Sequence, residues 1–200
     1  MLLKEKAIFV DIDTQFDFMN PNGNLYVKNA EKIIPNIKKL IDFALKNKIP
    51  IIASVDAHRE NDPEFERFPP HCVKGTPGYE KIPETKVSNY EIVENKPQEV
   101  EVSPEKEIVI EKQVFSLFDN INSDRILKKL GRSIAVIFGV ATEYCVRASA
   151  LGFLERGYEV LIVTDAVKEI SEEEGRKALE ELKNKGAKLI TTDQILKEQF

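Results

Sequence analysis

Short apolar runs alternate with amphipathic stretches along the whole chain. Ala7 to Ile12 is nearly continuous apolar sequence, the pattern of a strand buried on both faces. Ile33, Ile34, Ile37, Leu40, Ile41, Ala44 and Leu45 then recur at helical spacing, with Pro35 tolerable only in the first turn. Ile49 to Val55 predicts a second strand and Glu107 to Ile110 a third, followed by a helix around Asp124 to Leu130 that Gly131 ends. Ile134 to Phe138, Tyr158 to Val163 and Ala187 to Ile190 predict three more strands. A helix through Cys145 to Arg156 separates the first two, and Ser171-Glu172-Glu173-Glu174 reads as a capping box that opens another. Strands alternating with helices imply right-handed crossovers and parallel pairing, hence an α/β chain with a mainly parallel six-stranded sheet in a three-layer αβα sandwich. Ligand crevices of such sheets lie beyond the carboxyl ends of the strands, so the chemistry should follow the strands, not precede them.

Two regions break the alternation. Asp56 to Glu84 is long, rich in Pro, His and charge, and without helical period; long irregular loops in compact domains are usually functional. In Asn89 to Ser103, Tyr90-Glu91-Ile92-Val93 and Val100-Glu101-Val102 flank Asn95-Lys96-Pro97-Gln98, which predicts a small hairpin or flap. With no repeat or linker, residues 1–200 are expected to form one domain. Composition narrows the partners. Twenty-nine Lys and Arg against 34 Asp and Glu give a net charge of −5, a poor surface for tracking phosphates, so no nucleic-acid partner is expected. No run approaches the roughly 20 apolar residues that span a bilayer, and Met1 to Lys6 leads straight into a strand-like run instead of a signal peptide. The expectation is a cytoplasmic protein without a membrane partner, with a homo-oligomer left open.

The chain has two cysteines, Cys72 and Cys145, and two histidines, His58 and His71, so their positions matter. After the first strand come Asp11, Asp13 and Asp17; any one alone suits a turn or a helix cap. After the second come Asp56 and His58, and His71 returns from the same long loop. Such N/O ligation suits Zn, Fe or Mn with positions left open. Lys112 closely follows the third strand, where a lysine can stabilise a thiolate or carboxylate. After the fourth strand, Gly139 permits a tight exit, Thr142 is a candidate cap, and Cys145 falls in the first turn of the next helix. A helix N-terminus lowers a thiol's pKa and offers N–H groups to an oxyanion. Cys72 lacks that setting and reads as structural. Four successive strand exits thus present Asp, an Asp-x-His loop, Lys and Cys.

These residues resemble the isochorismatase-like cysteine hydrolases, and most closely their nicotinamidase (pyrazinamidase) branch, over nearly the whole chain. Asp13-Thr14-Gln15-Phe16-Asp17-Phe18 is similar to the family's D-x-Q-x-D-F, and Gly139 to Arg147 resembles the nucleophile turn almost residue for residue. The resemblance implies an isochorismatase-like, Rossmann-like fold and a catalytic triad of Asp13, Lys112 and Cys145. It implies an oxyanion hole from the backbone N–H groups of Ala141 and Cys145, often with a cis peptide before Ala141. It further implies one divalent metal ion on Asp56, His58 and His71, zinc foremost, with iron or manganese as alternatives. Phe18, Phe68, Val140 and Tyr144 fall where relatives build the substrate pocket, with Phe68 in place of a common tryptophan. The activity implied is hydrolysis of a small-molecule carboxamide, nicotinamide above all, through a thioester, with a place in NAD salvage. The rivals are a family member acting on an N-carbamoyl compound or a ureide, and a non-catalytic metal- or ligand-binding protein.

Overall fold

The computed structural model describes residues 2–198, so Met1 of the N-terminal run lies outside the described residues. Seven strands form one sheet in the order β3-β4-β2-β1-β5-β6-β7, and every neighbouring pair is parallel. They are β1 (Ala7–Ile12), β2 (Ile51–Asp56), β3 (Tyr90–Val93), β4 (Glu107–Lys112), β5 (Ile134–Val140), β6 (Glu159–Lys168) and β7 (Lys188–Ile190). The helices are α1 (Leu2–Lys6), α2 (Phe16–Met19), α3 (Ile34–Asn47), α4 (Ser123–Leu130), α5 (Arg147–Glu155), α6 (Glu172–Asn184) and α7 (Thr192–Leu196).

Strand alternation divides the core in two. Ala7 and Phe9 of β1 join Ile37, Leu40 and Ile41 of α3 and Ile195 of α7 on one face. Ile8, Val10 and Ile12 join Ile126 of α4, Phe153 of α5 and Leu182 of α6 on the other. Both faces of the central strands are therefore covered, which is why those strands read as unbroken apolar runs. Gly131 ends α4 in the left-handed conformation at φ 61°, as the sequence suggests. Among the described residues, no helix is long and apolar enough to cross a membrane.

Residues 89–103 do not form the hairpin that their two β-like runs suggest. Tyr90–Val93 pairs in parallel with β4 at the sheet edge, so the sheet has seven strands, not six. Val100 does not return along β3; it is buried in the apolar cluster shared with α4. The Asn122 side chain holds the intervening turn by donating to the carbonyls of Lys96 (2.8 Å) and Glu94 (3.2 Å). The other departure is in β6, which runs well past Val163. Its pairing with β5 jumps from Ile137↔Ile162 to Gly139↔Val167, and the extra residues form a bulge at the carboxyl end of the sheet.

Candidate active site

Four adjacent strands, β4, β2, β1 and β5, carry the sequence-predicted chemistry to one end of the sheet. Lys112 and Asp56 are the last residues of β4 and β2, Asp13 directly follows β1, and Cys145 lies in the turn after β5. Asp13 adopts a left-handed backbone at φ 49°, a conformation Asp tolerates better than most residues. Its amide donates to the Ser54 carbonyl (3.1 Å), and its Oδ1 accepts from the Ser54 hydroxyl (2.7 Å).

The fully buried Lys112 ammonium joins these groups. Its Nζ lies 2.9 Å from Asp13 Oδ2 and 3.4 Å from Cys145 Sγ, and it also donates to Asp56 Oδ1. Burial raises the Asp13 carboxyl to about 6; Lys112 pulls it down and the Asp56 charge pushes it up. Burial also pushes the Asp56 carboxyl upward, but Lys112 and His58 outweigh that and hold it at about 2. The Cys145 thiol does not follow the helix-terminus expectation. Burial, aided by the Asp13 charge, drives it well above the usual thiol range despite Lys112. The resting site is therefore a neutral thiol beside a carboxylate whose affinity for protons has been increased, the arrangement a general base requires. On the reading that Asp13, titrating near 6, is the base, kcat/KM should fall towards tenfold per pH unit below pH 6, as Asp13 protonates and the thiol proton loses its acceptor. A pH–rate profile flat from pH 7 to pH 4.5 would exclude Asp13 from that role.

The turn bearing Cys145 also differs from the simple helix start. Residues 142–146 form a π-helical turn, closed by the Val146 amide donating to the Ala141 carbonyl (3.2 Å), and α5 begins only at Arg147. Thr142 caps nothing; its hydroxyl is buried and unpartnered. The Val140–Ala141 peptide is cis. Gly139, at φ 114°, is required by close approach: a Cβ there would stand 2.0 Å from the Ile12 carbonyl oxygen.

Asp56, His58 and His71 offer ligand atoms that all lie within 4.8 Å of one another. Asp56 Oδ2 is 3.9 Å from Nε2 of each histidine. His71 directs Nδ1 at the Pro69 carbonyl (2.8 Å), which leaves Nε2 facing the cluster. His58 places Nδ1 3.1 Å from Asp62, while its buried Nε2 has no hydrogen-bond partner. A buried orphan nitrogen beside a carboxylate and a second imidazole fits a divalent cation of the N/O-binding class. Glu64, which sequence reasoning does not single out, brings Oε2 to 4.0 Å from His58 Nε2.

One half-open cavity connects the two groups: Cys145 and Ala141 on one side, Asp56, His71 and Glu64 on the other. Phe18, Phe68 and Tyr144 line it as the sequence suggests, together with Leu25, Phe115 and Ile170. Val140 does not; its side chain is fully buried in the core beneath. Two of the early carboxylates have other tasks. Asp11 is an ion-pair partner of buried Lys81 (2.9 Å), and Asp17 accepts from the amides of Cys72 (2.8 Å) and Asn24 (2.9 Å), fixing the backbone next to His71 and Leu25. Cys72 is a buried free thiol, as is Cys145.

The chain matches the model of the isochorismatase domain over residues 7–100 and 97–194. It is 35% identical to the pyrazinamidase of Pyrococcus horikoshii, solved in complex with zinc, at a TM-score of 0.79 covering 93% of this chain and 99% of that one. The nicotinamidase of Saccharomyces cerevisiae is 25% identical, covering 86% of this chain and 93% of its own. A protein of Arabidopsis thaliana described as a probable inactive nicotinamidase is 26% identical, covering 90% of this chain and 89% of its own.

Proposed function

The chain belongs to the isochorismatase family of hydrolases, and within it we propose that this protein is a cysteine-dependent amidohydrolase that converts nicotinamide and water to nicotinic acid and ammonia. The observation that carries the reading is the position of Lys112 Nζ, 2.9 Å from Asp13 Oδ2 and 3.4 Å from Cys145 Sγ, with Cys145 itself lining a cavity walled by aromatic rings. A binding protein has no need of a buried cation that joins a carboxylate to a thiol. The reading carries with it a cytoplasmic location and a place in NAD salvage.

The steps follow from the protonation states. Asp13 takes the Cys145 proton and becomes neutral, and Lys112 stabilises the thiolate that results. The thiolate attacks the carboxamide carbon, and the carbonyl oxygen, now negative, is received by the Ala141 and Cys145 amides. Asp13 returns its proton to the departing nitrogen, releasing ammonia and leaving a thioester on Cys145. It then removes a proton from water, which attacks the thioester carbon, and the carboxylic acid leaves as the thiol is restored.

Asp56, His58 and His71, with Glu64 beside them, would hold a divalent ion, proposed as zinc. When bound it supplies Lewis-acid attraction for a heteroatom of the substrate ring. The protein residues do the rest of the positioning: Phe18 and Phe68 flank His71, with ring centroids 5.4 and 6.3 Å from the imidazole, and offer apolar faces to a flat ring.

A panel of carboxamides, N-carbamoyl compounds and ureides, assayed for ammonia release, tests the proposal. Nicotinamide should be hydrolysed fastest; turnover of a ureide or N-carbamoyl compound with none of nicotinamide would overturn it. Metal analysis gives an independent reading. The purified protein should carry about one divalent ion, and His58→Ala should lose it. The loss expected for a directly coordinating residue exceeds the 10–100-fold affinity cost of removing an outer-shell partner. Unchanged metal content in His58→Ala would remove His58 from the ligand set.

A further inference from the structure

We propose that Glu143 sets the width of the substrate mouth by pinning Ile170 beside it, so that Ile170 is a specificity-determining wall that admits small, flat carboxamides and turns away bulkier ones. The substrate class rests on the amidohydrolase reading; the wall itself rests on geometry alone.

Ile170 lies between the bulged carboxyl end of β6 and the start of α6, and its side chain lines the cavity with Cys145, Tyr144 and Phe115. It is 47% exposed, so burial does not hold it in place. Its backbone does. The Glu143 carboxylate accepts from the amides of Ile170 (3.0 Å) and Ser171 (2.8 Å). Bonds from backbone N–H to an ionised acceptor are among the stronger in proteins, and a negative charge at the first turn of the 13-residue α6 is further favoured by the helix dipole. The corner is backed from behind, because Glu169 lies against Gly175, where a Cβ would stand 2.4 Å from the Glu169 Cβ.

Glu143 does not line the cavity, so it is a positioning residue. It belongs to the same π-helical turn as Cys145. One short turn therefore fixes both the attacking sulfur and, through Glu143, the wall beside it. Ile170 stands at the rim of this cavity, where removing one apolar side chain changes what fits.

Two readouts test this. The first is alkylation of Cys145 by iodoacetamide and by its N-aryl derivative, followed by mass mapping of the modified peptide; sulfur bonds to the reagent's methylene carbon, iodide leaves, and the thiol proton passes to Asp13. The second is the kcat/KM ratio for nicotinamide against ring-substituted analogues. In the wild type both ratios should favour the smaller compound. Ile170→Ala should narrow each by about tenfold, the discrimination that a few methylene groups provide. Glu143→Ala should narrow them in the same direction, and Glu143→Gln, which keeps a carbonyl acceptor, by less. If Glu143 acts through Ile170, the double variant should be no less selective than Ile170→Ala alone. Unchanged ratios in Ile170→Ala, or effects of the two substitutions that multiply, would overturn the proposal. Should Glu143→Ala fail to fold, as thermal melting would show, Glu143→Gln and the Ile170 variant decide it. Alkylation ratios that shift as expected in a protein that hydrolyses no carboxamide would reject the proposed activity and leave the wall standing.

Discussion

Cys145→Ala should abolish amide hydrolysis, lowering kcat on the order of 10⁶-fold, the cost of removing a nucleophile from a group of residues that act as a unit. The size of the effect follows from the protonation states. In the resting protein the thiol is neutral and buried, so it contributes no charge to the ground state. On the proposed mechanism it becomes anionic only as Asp13 takes its proton, and Lys112 Nζ, 3.4 Å from the sulfur, would face the charge that develops. With alanine there, Asp13 and Lys112 remain paired at 2.9 Å and have no nucleophile to activate. Residual turnover would come only from water attacking a substrate held in the same cavity. The variant should still fold, because the change removes only the sulfur from a small buried side chain and leaves the Asp13–Lys112 pair in place. Quenching the wild type during turnover and mapping its peptides should place an acyl group on Cys145, and the alanine variant should carry none. Ammonia release from nicotinamide at the wild-type rate by Cys145→Ala would end the thioester account.

The parts of this site that sequence shows are those where rare residue types meet a strand exit. Asp13, Asp56, Lys112 and Cys145 each stand at the carboxyl end of one of four adjacent strands, so the βα alternation alone predicts that they converge. The two histidines share one loop with Asp56 upstream, and the spacing that suggests a metal site is realised within 4.8 Å. What sequence does not show is decided by contacts between segments far apart in the chain. Glu64 approaches His58 because a short helical turn opens at Asp62, whose own carboxylate accepts from the Glu64 amide. Phe115 and Ile170 reach the cavity from loops after β4 and β6, with no local period to mark them. The pairing partner of Tyr90–Val93 is likewise a non-local choice; the β-like pattern is visible, but not that its neighbour is β4 instead of the segment that follows it. The direction of the Cys145 pKa fails for a related reason. Helix position is local and legible, whereas the desolvation that overrides it comes from packing contributed by the whole fold.

Lys112→Met should damage stability and activity together. Lys112 is fully buried between two carboxylates, Asp13 and Asp56, each itself buried. Methionine preserves much of the volume and removes the charge, so the packing loss is small and the electrostatic loss dominates. Breaking a buried ion pair by deleting one partner costs about 3–5 kcal/mol, because the remaining charge has neither water nor a counter-ion. In a chain of this size that is a fall in Tm of roughly 10 °C. The pH dependence separates this cause from ordinary packing damage. Lys112 opposes the upward push of burial on Asp13, titrating near 6, and on Asp56, titrating near 2. Without it the Asp13 value rises further above that of the unfolded chain, and the Asp56 value, held below the unfolded one by Lys112 and His58, loses its main support and rises as well. A raised carboxylate pKa penalises the folded state at high pH and releases that penalty as pH falls and the group protonates. The gap in Tm between wild type and Lys112→Met should therefore be widest near pH 8 and narrow towards pH 5. Activity should not recover with it, since protonated Asp13 cannot accept the thiol proton. Thermal melts of both proteins across that range provide the test: a gap independent of pH would mean that Lys112 acts as filler and not as the counter-ion that joins the two carboxylates to the nucleophile.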